Sequence, residues 1–527
     1  MKKHILTSLL IVIALANLQA QDPSPVPRLV VGLTIDQLRL DYVEAFSALY
    51  GERGFKRLLK EARIYRNAEY DFVGVDKSSA VATIYSGSSP CVHGIVGDTW
   101  LDRNTLRVID CIDDSHFMGI YSSESTSPVR YKVSNLSDEL MIASQGKSLV
   151  YSIAPTREMA VLAAGHASNG AFWINDETGK WSGTTYYGSF PAWVTSFNDR
   201  EGIDFRISKM VWTPALPLSM YRYLTTELQP KAFKYKFDNE RKAKYRRLKT
   251  SPFANDEVNK LVEQCFRMTS VGQDQIPDLL SLAFYAGNYN HLPSVDNPLE
   301  MQDTYVRLDR ALAHLFDLID TKVGLKNTLF FITSTGYTDA DPLDKAEYRI
   351  PTGEFHLKRC AALLNLYLAA IYGEGIYVDG YYGHEIYLNH KLLEQKKLKL
   401  DEILARTSEF LVQFSGVKDV YSSHRLKLGS WTPQVDKIKN RFNSVCSGDL
   451  WIEVLPGWQM AQEHSLDSKV IRHIYTSAPW MLLGWNVKPE IIHTPVNINH
   501  LAPTVAHFMR IRAPNAAELS PLTDICR

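Results

Sequence analysis

Apolar runs of strand length recur along this chain, and most are followed by residues at helical spacing. Residues 28–35 (RLVVGLTI) are almost continuously apolar and end at Asp36, as a strand buried on both faces would. Leu38 to Leu59 alternates apolar and charged residues at helical spacing, with breaks at Gly51 and Gly54. Val73–His93 opens apolar, turns through small residues and continues as a helix. Ser148–Ala154 predicts a strand, Ala160–Trp173 a strand and turn, and Asp278–Ala286 another strand. Met301–Ile319 is amphipathic, with Tyr305, Leu308, Leu312, Leu315 and Leu318 on one face, and Thr328–Thr333 follows as a strand. Trp451–Val454 and Trp480–Leu483 read as a return to the sheet, and a helix near Leu501–Met509 follows. This alternation predicts an α/β fold with a mostly parallel central sheet and helices on both faces.

Two stretches interrupt the alternation. Residues 176–255 are rich in aromatics and carry the basic run Arg241–Lys249, read as a solvated helix face. Residues 355–446 form a second excursion that ends in a polar, basic segment. The expected organisation is therefore a core in three parts, 21–175, 256–354 and 447–527, with two insertions forming a cap. Trp173–Trp193 has the aromatic content of a binding platform, although core packing is the commoner use.

Residues 1–20 have a basic start, an apolar middle and a small residue at Ala20. They predict a signal peptide and a periplasmic or secreted protein. No later run reaches about twenty apolar residues, so no transmembrane segment is expected. The formal net charge is zero, which excludes a nucleic-acid partner held by bulk charge. The six cysteines form no CxxC pair, which excludes a clustered thiolate zinc site and leaves buried thiols with at most one or two bridges.

The candidate chemistry lies in Asp71–Trp100, DFVGVDKSSAVATIYSGSSPCVHGIVGDTW. A strand–turn–helix start of this kind aims backbone N–H groups and one side chain at an anion. With Arg28–Tyr42 (RLVVGLTIDQLRLDY), this stretch resembles the alkaline phosphatase superfamily, in the bacterial zinc phosphomonoesterase branch related to type I phosphodiesterase/nucleotide pyrophosphatase. The resemblance implies an alkaline-phosphatase-like fold. It also implies phosphate-ester hydrolysis by two zinc ions and a Thr or Ser nucleophile, with Asp and His ligands at strand ends.

Carried across residue by residue, the resemblance puts the first metal-ligating aspartate at Asp36 and the nucleophile position at Lys77, followed by Ser78 and Ser79. The second aspartate position is Asn288, and the next histidine position is Leu292 with His291 beside it. The Asp-His pair becomes Thr335 and Gly336, with Asp339 and Asp341 downstream, and the last histidine is His464. Among substrate-binding positions, Asp98 replaces Asn, and Thr156 and Glu158 replace Lys and Arg.

An ammonium has no lone pair for a metal, and Asp36 and His464 alone, in different sites, are too few to hold two ions. The expectation is a catalytically degenerate pseudoenzyme with no cofactor, binding an unknown envelope protein or an anionic ligand. The alternative is a metal-dependent phosphate-ester hydrolase, phosphomonoesterase or phosphodiesterase, with a rearranged site. There Ser78 or Ser79 would attack, and Asp36, Asn288, His291, Asp339 or Asp341, and His464 would regroup around zinc or another divalent cation. Lys77 is expected to pair with Asp36, and Arg157 to face away from the site.

Overall fold

The structure, a computed structural model, describes residues 26–223, 231–239, 243–291, 297–337, 351–429, 432–461 and 477–523. In chain order the elements that matter are β1 (Leu29–Asp36), β2 (Arg63–Glu69), α1 (Lys77–Ser86), β3 (Val150–Ala154), α2 (Arg157–Ala164), β4 (Gly170–Ile174), β5 (Trp181–Thr184), α3 (Phe253–Met268), β6 (Asp278–Tyr285), α4 (Pro298–Lys322) and β7 (Thr328–Ser334). The second insertion adds α5 (Leu357–Tyr372), β8 (Val378–Tyr382), β9 (Glu385–Leu388), α6 (Leu400–Leu411), β10 (Val417–Ser422), α7 (Pro433–Arg441) and β11 (Leu450–Val454). After them come β12 (Ser477–Gly484), β13 (Glu490–Ile492) and α8 (Leu501–Met509).

The main sheet runs β13-β2-β12-β7-β1-β6-β3-β4-β5, and short strands extend it. Its centre is parallel: β1 lies between β6 and β7, with Asp36 beside Tyr285 and Ile35 beside Ser334. β12 joins β7 and β2 antiparallel. All of β1 is buried. Leu29, Val31, Leu33 and Ile35 enter one apolar cluster, with α3 and α4, while Val30 enters the other, with α1, α2 and α8. That division follows from side chains alternating across a strand.

Local chemistry sets where α1 sits. Asp76 and Ser79 form a capping box at its start, and Gly87, at φ +68°, ends it. Gly32 lets the helix dock on β1. A Cβ there would lie 2.3 Å from the Phe331 ring and 2.6 Å from the Tyr85 hydroxyl of α1.

Two expectations change. Ala160–Trp173 is not a strand and turn throughout: Arg157–Ala164 is α2, and only Gly170–Ile174 is strand. Alanine and leucine are the better helix formers, and the segment starts behind a β-region residue, Thr156. Leu450–Val454 does not return to the main sheet. It pairs with β9 and β10 in a separate four-stranded sheet over its own core, which includes Leu364, Leu368, Leu411 and Ile452. An apolar run identifies a buried strand and not which sheet buries it. Among the aromatics, Trp181, Trp193 and Trp212 are buried in core packing, the commoner use of such side chains.

In the basic run, a helix spans Lys244–Lys249, and Arg246 and Lys249 both pair with Asp176. Cys91, Cys111, Cys265, Cys360 and Cys446 are free thiols. Among the described residues no helix is long and apolar enough to cross a membrane. The N-terminal segment 1–20 lies outside the described residues.

Candidate functional site

The parallel strands β1, β6 and β7 end together, so their registers bring Asp36, the residues after Tyr285 and Thr335 to one edge. Asp36 is 8% exposed and accepts a hydrogen bond from the Thr335 hydroxyl. Tyr70 and Ser334 pin the same edge: Tyr70 donates to the Ser334 carbonyl at 2.6 Å, and the Ser334 hydroxyl to the Leu38 carbonyl at 2.9 Å. The loop from Asp71 to Asp76 then brings α1 over the edge.

The first turn of α1 is filled by the chain's own carboxylates. Asp76 accepts from the Ser79 N–H at 2.9 Å and the Ser79 hydroxyl at 2.7 Å. Asp98 accepts from the Ser78 N–H at 3.2 Å, and its own N–H donates to Asp76 at 2.6 Å. Lys77 lies between two carboxylates, 3.6 Å from Asp98 and 3.5 Å from Glu158. Burial opposes its charge, but Asp98, then Glu158, Asp36 and Asp110, outweigh burial and hold its pKa well above the usual value. Burial, and then Asp76, push the Asp98 carboxyl up. Glu158 is held below its usual range: burial works against this, and Lys77 is the largest opposing influence.

Behind this group a second layer alternates in sign. Arg157 reaches Asp113 at 3.0 Å, Asp110 at 3.3 Å and the Thr126 hydroxyl at 3.2 Å. Burial, then Glu158, push the Asp110 carboxyl up to about 7. Burial keeps Cys111 a thiol, and its Sγ donates to the Ser78 hydroxyl at 3.6 Å.

The second insertion braces the loop ahead of α1. Val73 N–H donates to the Lys437 carbonyl at 3.2 Å, Arg441 to the Gly74 carbonyl at 3.0 Å, and Asn440 to the Asp71 carbonyl at 3.0 Å.

Lys77, Asp98 and Glu158 thus converge as a group with Asp36 beside them. The expected Lys77–Asp36 pair is replaced: Lys77 turns to Asp98 and Glu158, while Asp36 takes the Thr335 hydroxyl and acts on Lys77 as a further charge. Arg157 does not face away. The segment is helical rather than extended, so consecutive residues are not on opposite faces, and both Arg157 and Glu158 join the charge cluster. Ser78 and Ser79 are both fully buried, and Ser79 is engaged in the cap. The Thr156 hydroxyl is buried without a partner, and so is the Asn288 amide oxygen. His291 is exposed, its ring 3.3 Å from the Tyr285 hydroxyl. Leu292, Asp339, Asp341 and His464 lie outside the described residues.

The sequence reading missed Asp76, Asp110 and the insertion's brace. Asp76 carries a local signal, a capping residue three positions before Ser79. The others meet only through the fold.

Two zinc ions need about three protein ligands each. Among the described residues no three His, Cys, Asp or Glu side chains come together to hold a metal. Asp36, Asp98 and Glu158 face a hydroxyl or an ammonium, and the Asn288 oxygen is a single hard donor. These residues do not fit the metal pair.

An elbow helix and charged side chains at the carboxyl edge of a parallel sheet define an α/β protein whose candidate site lies at the strand ends. The family model of type I phosphodiesterase / nucleotide pyrophosphatase matches residues 30–476, and the chain belongs to that family. It is 28% identical to alkaline phosphatase PafA of Elizabethkingia meningoseptica over 99% of both chains. It is 26% identical to alkaline phosphatase PhoV of Synechococcus elongatus, over 95% of this chain and 93% of that one. The crystal structure of wild-type PafA superposes with TM-score 0.85 at 27% identity, covering 96% of this chain and all of that one. The alkaline phosphatase superfamily and its mixed α/β fold are therefore borne out.

The pseudoenzyme expectation is corrected by the same findings. PafA and PhoV, both matched over nearly their full length, are named alkaline phosphatases, which points to phosphatase activity and to the phosphoric ester hydrolase reading. A PafA variant altered at one threonine, one asparagine, one lysine and one arginine has also been solved. Its threonine and asparagine are spaced in sequence as Lys77 and Asp98 are here, and its lysine and arginine as Thr156 and Glu158 are.

Proposed function

We propose that this chain is an exported phosphoric ester hydrolase with a rebuilt charge arrangement at the β1–α1 edge. The whole-length likeness to alkaline phosphatases carries the reading, and the basic–apolar start of residues 1–20 supports export. The Lys77 ammonium, a quarter exposed, faces the phosphoryl oxygens. Asp110, whose carboxyl is pushed up to about 7 by burial, holds a proton near neutral pH, and burial pushes the Asp98 carboxyl in the same direction. Water attacks phosphorus, the ester oxygen leaves with the carboxyl proton, and the proton released by the water returns to the emptied carboxylate.

The test is hydrolysis of p-nitrophenyl phosphate and bis(p-nitrophenyl) phosphate by the purified chain, with and without chelator and added Zn²⁺ or Mn²⁺. Monoester turnover is expected, with a loss of about 100-fold in kcat for Lys77→Met. Ser78→Ala is expected to keep at least half of the rate, and a collapse in that variant would make the hydroxyl the nucleophile. Chelation reads out the metal dependence that the superfamily resemblance implies. No turnover of either ester under any of these conditions would overturn the reading.

A further inference from the structure

The disagreement between the donor set and a metal pair has a consistent pattern. By matching intervals, where PafA carries threonine, asparagine, lysine and arginine, this chain carries Lys77, Asp98, Thr156 and Glu158. A positive charge has arrived at the start of α1, and at the start of α2 a carboxylate stands at the arginine position with Arg157 beside it. The two carboxylates that arrive with it are the two that the Lys77 ammonium faces. The separations, 3.6 and 3.5 Å, exceed the roughly 2.7–2.9 Å of a charge-assisted hydrogen bond. Lys77 thus acts as a point charge centred between carboxylates rather than as a donor bonded to either. Asp36 and Asp110 also favour its charged form, and Asp76 stands behind Asp98.

We infer that the Lys77 ammonium is a tethered cation that supplies, between Asp98 and Glu158 and with Asp36 acting on it as a further charge, the positive charge that a bound cation would otherwise bring. A carboxylate group of this density is unstable without positive charge. A side chain that supplies the charge makes it independent of metal supply. The inference concerns the same site as the hydrolase reading but does not depend on turnover, because its readouts are stability and metal content.

Two consequences are measurable. The melting temperature of the wild-type chain is expected to move by less than about 1 °C with EDTA or with millimolar Mg²⁺, Mn²⁺, Ca²⁺ or Zn²⁺. Lys77→Met, which removes the charge at similar volume, is expected to melt lower and to recover by about 4 °C or more in millimolar Mn²⁺ or Ca²⁺, since a ligand bound only by the native state stabilises it. If the single variant does not fold, the double variant Lys77→Met/Glu158→Gln is expected to fold, because one orphaned carboxylate is gone. Stoichiometric metal in wild type that chelation removes with a fall in melting temperature would overturn the inference. So would a folded Lys77→Met that shows no cation response, or a double variant that fails to fold where the single fails. Any of these can occur with hydrolysis present or absent, so the two readings fail separately.

Discussion

At Asp449, in the second insertion, a carboxylate 3% exposed accepts from the Leu388 N–H at 2.8 Å, from Arg103 at 3.0 Å and from His390 at 2.9 Å. At Asp98, beside α1, the carboxylate accepts one N–H, from Ser78 at 3.2 Å, and shares a single ammonium with Glu158 at separations longer than those at Asp449 by about half an ångström or more. The consequences are opposite. Asp449 is held below its usual pKa: burial opposes this, but the His390 bond and then Arg103 outweigh it. Asp98 is pushed above its usual value. One cluster is a directed network that ties the insertion to Arg103, in the turn between the paired strands Thr99–Asp102 and Arg107–Asp110. The other is a balance of charges with spare capacity to take or release a proton or to face a ligand. Burial alone does not separate the two; directed hydrogen bonds do.

The largest effect expected from this contrast is at Asp449. Asp449→Ala strips Arg103, His390 and a backbone N–H of their acceptor together, and should lower unfolding free energy by about 3 kcal/mol, read from urea denaturation. His390 gives the change a pH signature. Its pKa is raised, with the Asp449 bond as the largest cause. Its contribution is therefore full below its unfolded value and lost as pH rises through its folded value, so the variant should lose more near pH 6 than near pH 8. A loss under about 1 kcal/mol would place Asp449 in the same class as Asp98.

A smaller effect should appear in the pH dependence at Asp110. Its folded pKa of about 7 lies above the ordinary 3.8. The stability it contributes is thus fully present below about pH 4 and disappears as pH rises through about 7. Asp110→Asn cannot ionise, so the wild type's decline in unfolding free energy between pH 5 and pH 8 should flatten by roughly 2 to 3 kcal/mol, read from urea denaturation. The slope left above pH 6.5 would belong to groups such as His390. An unchanged slope would mean that the Arg157 ion pair, and not burial, governs Asp110.

How much of this was legible in the sequence follows from which forces are local. β1, α1, β6, α4 and β7 announce themselves because apolar periodicity reports a face buried within one segment. The resemblance placed Asp36, Lys77, Asp98 and Glu158 in one site, and the fold brings Lys77, Asp98 and Glu158 together. It misplaced the partner of Lys77, because it weighed only Asp36 as the buried carboxylate in need of a cation, whereas Asp98 and Glu158 stand nearer. It misassigned β11 because the four-stranded sheet of the insertion closes through pairings far apart in the chain. The brace from α7 to the Asp71–Asp76 loop is a set of backbone acceptors, on which residue identity leaves almost no mark.

The smallest effect is expected at Glu158, and it tests the contrast most directly. Glu158→Gln removes one of the two carboxylates facing Lys77 and leaves Asp98 at 3.6 Å. In a bonded network that loss would resemble Asp449→Ala. In a charge balance three effects nearly cancel. Lys77 loses an attraction, and the first turn of α2 loses a favourable negative charge of about 0.5 kcal/mol. Against these, Asp98 and Asp110 lose a like charge that raises both of their pKa values. The net change at pH 6 should stay within about 1 kcal/mol, since the pair is partly solvated. The midpoint of the pH dependence assigned to Asp110 should meanwhile move down toward the ordinary carboxylate range. Loss of stability comparable to that of Asp449→Ala, with no movement of that midpoint, would mean that the α1 edge is a structural ion pair and that the contrast between the two clusters fails.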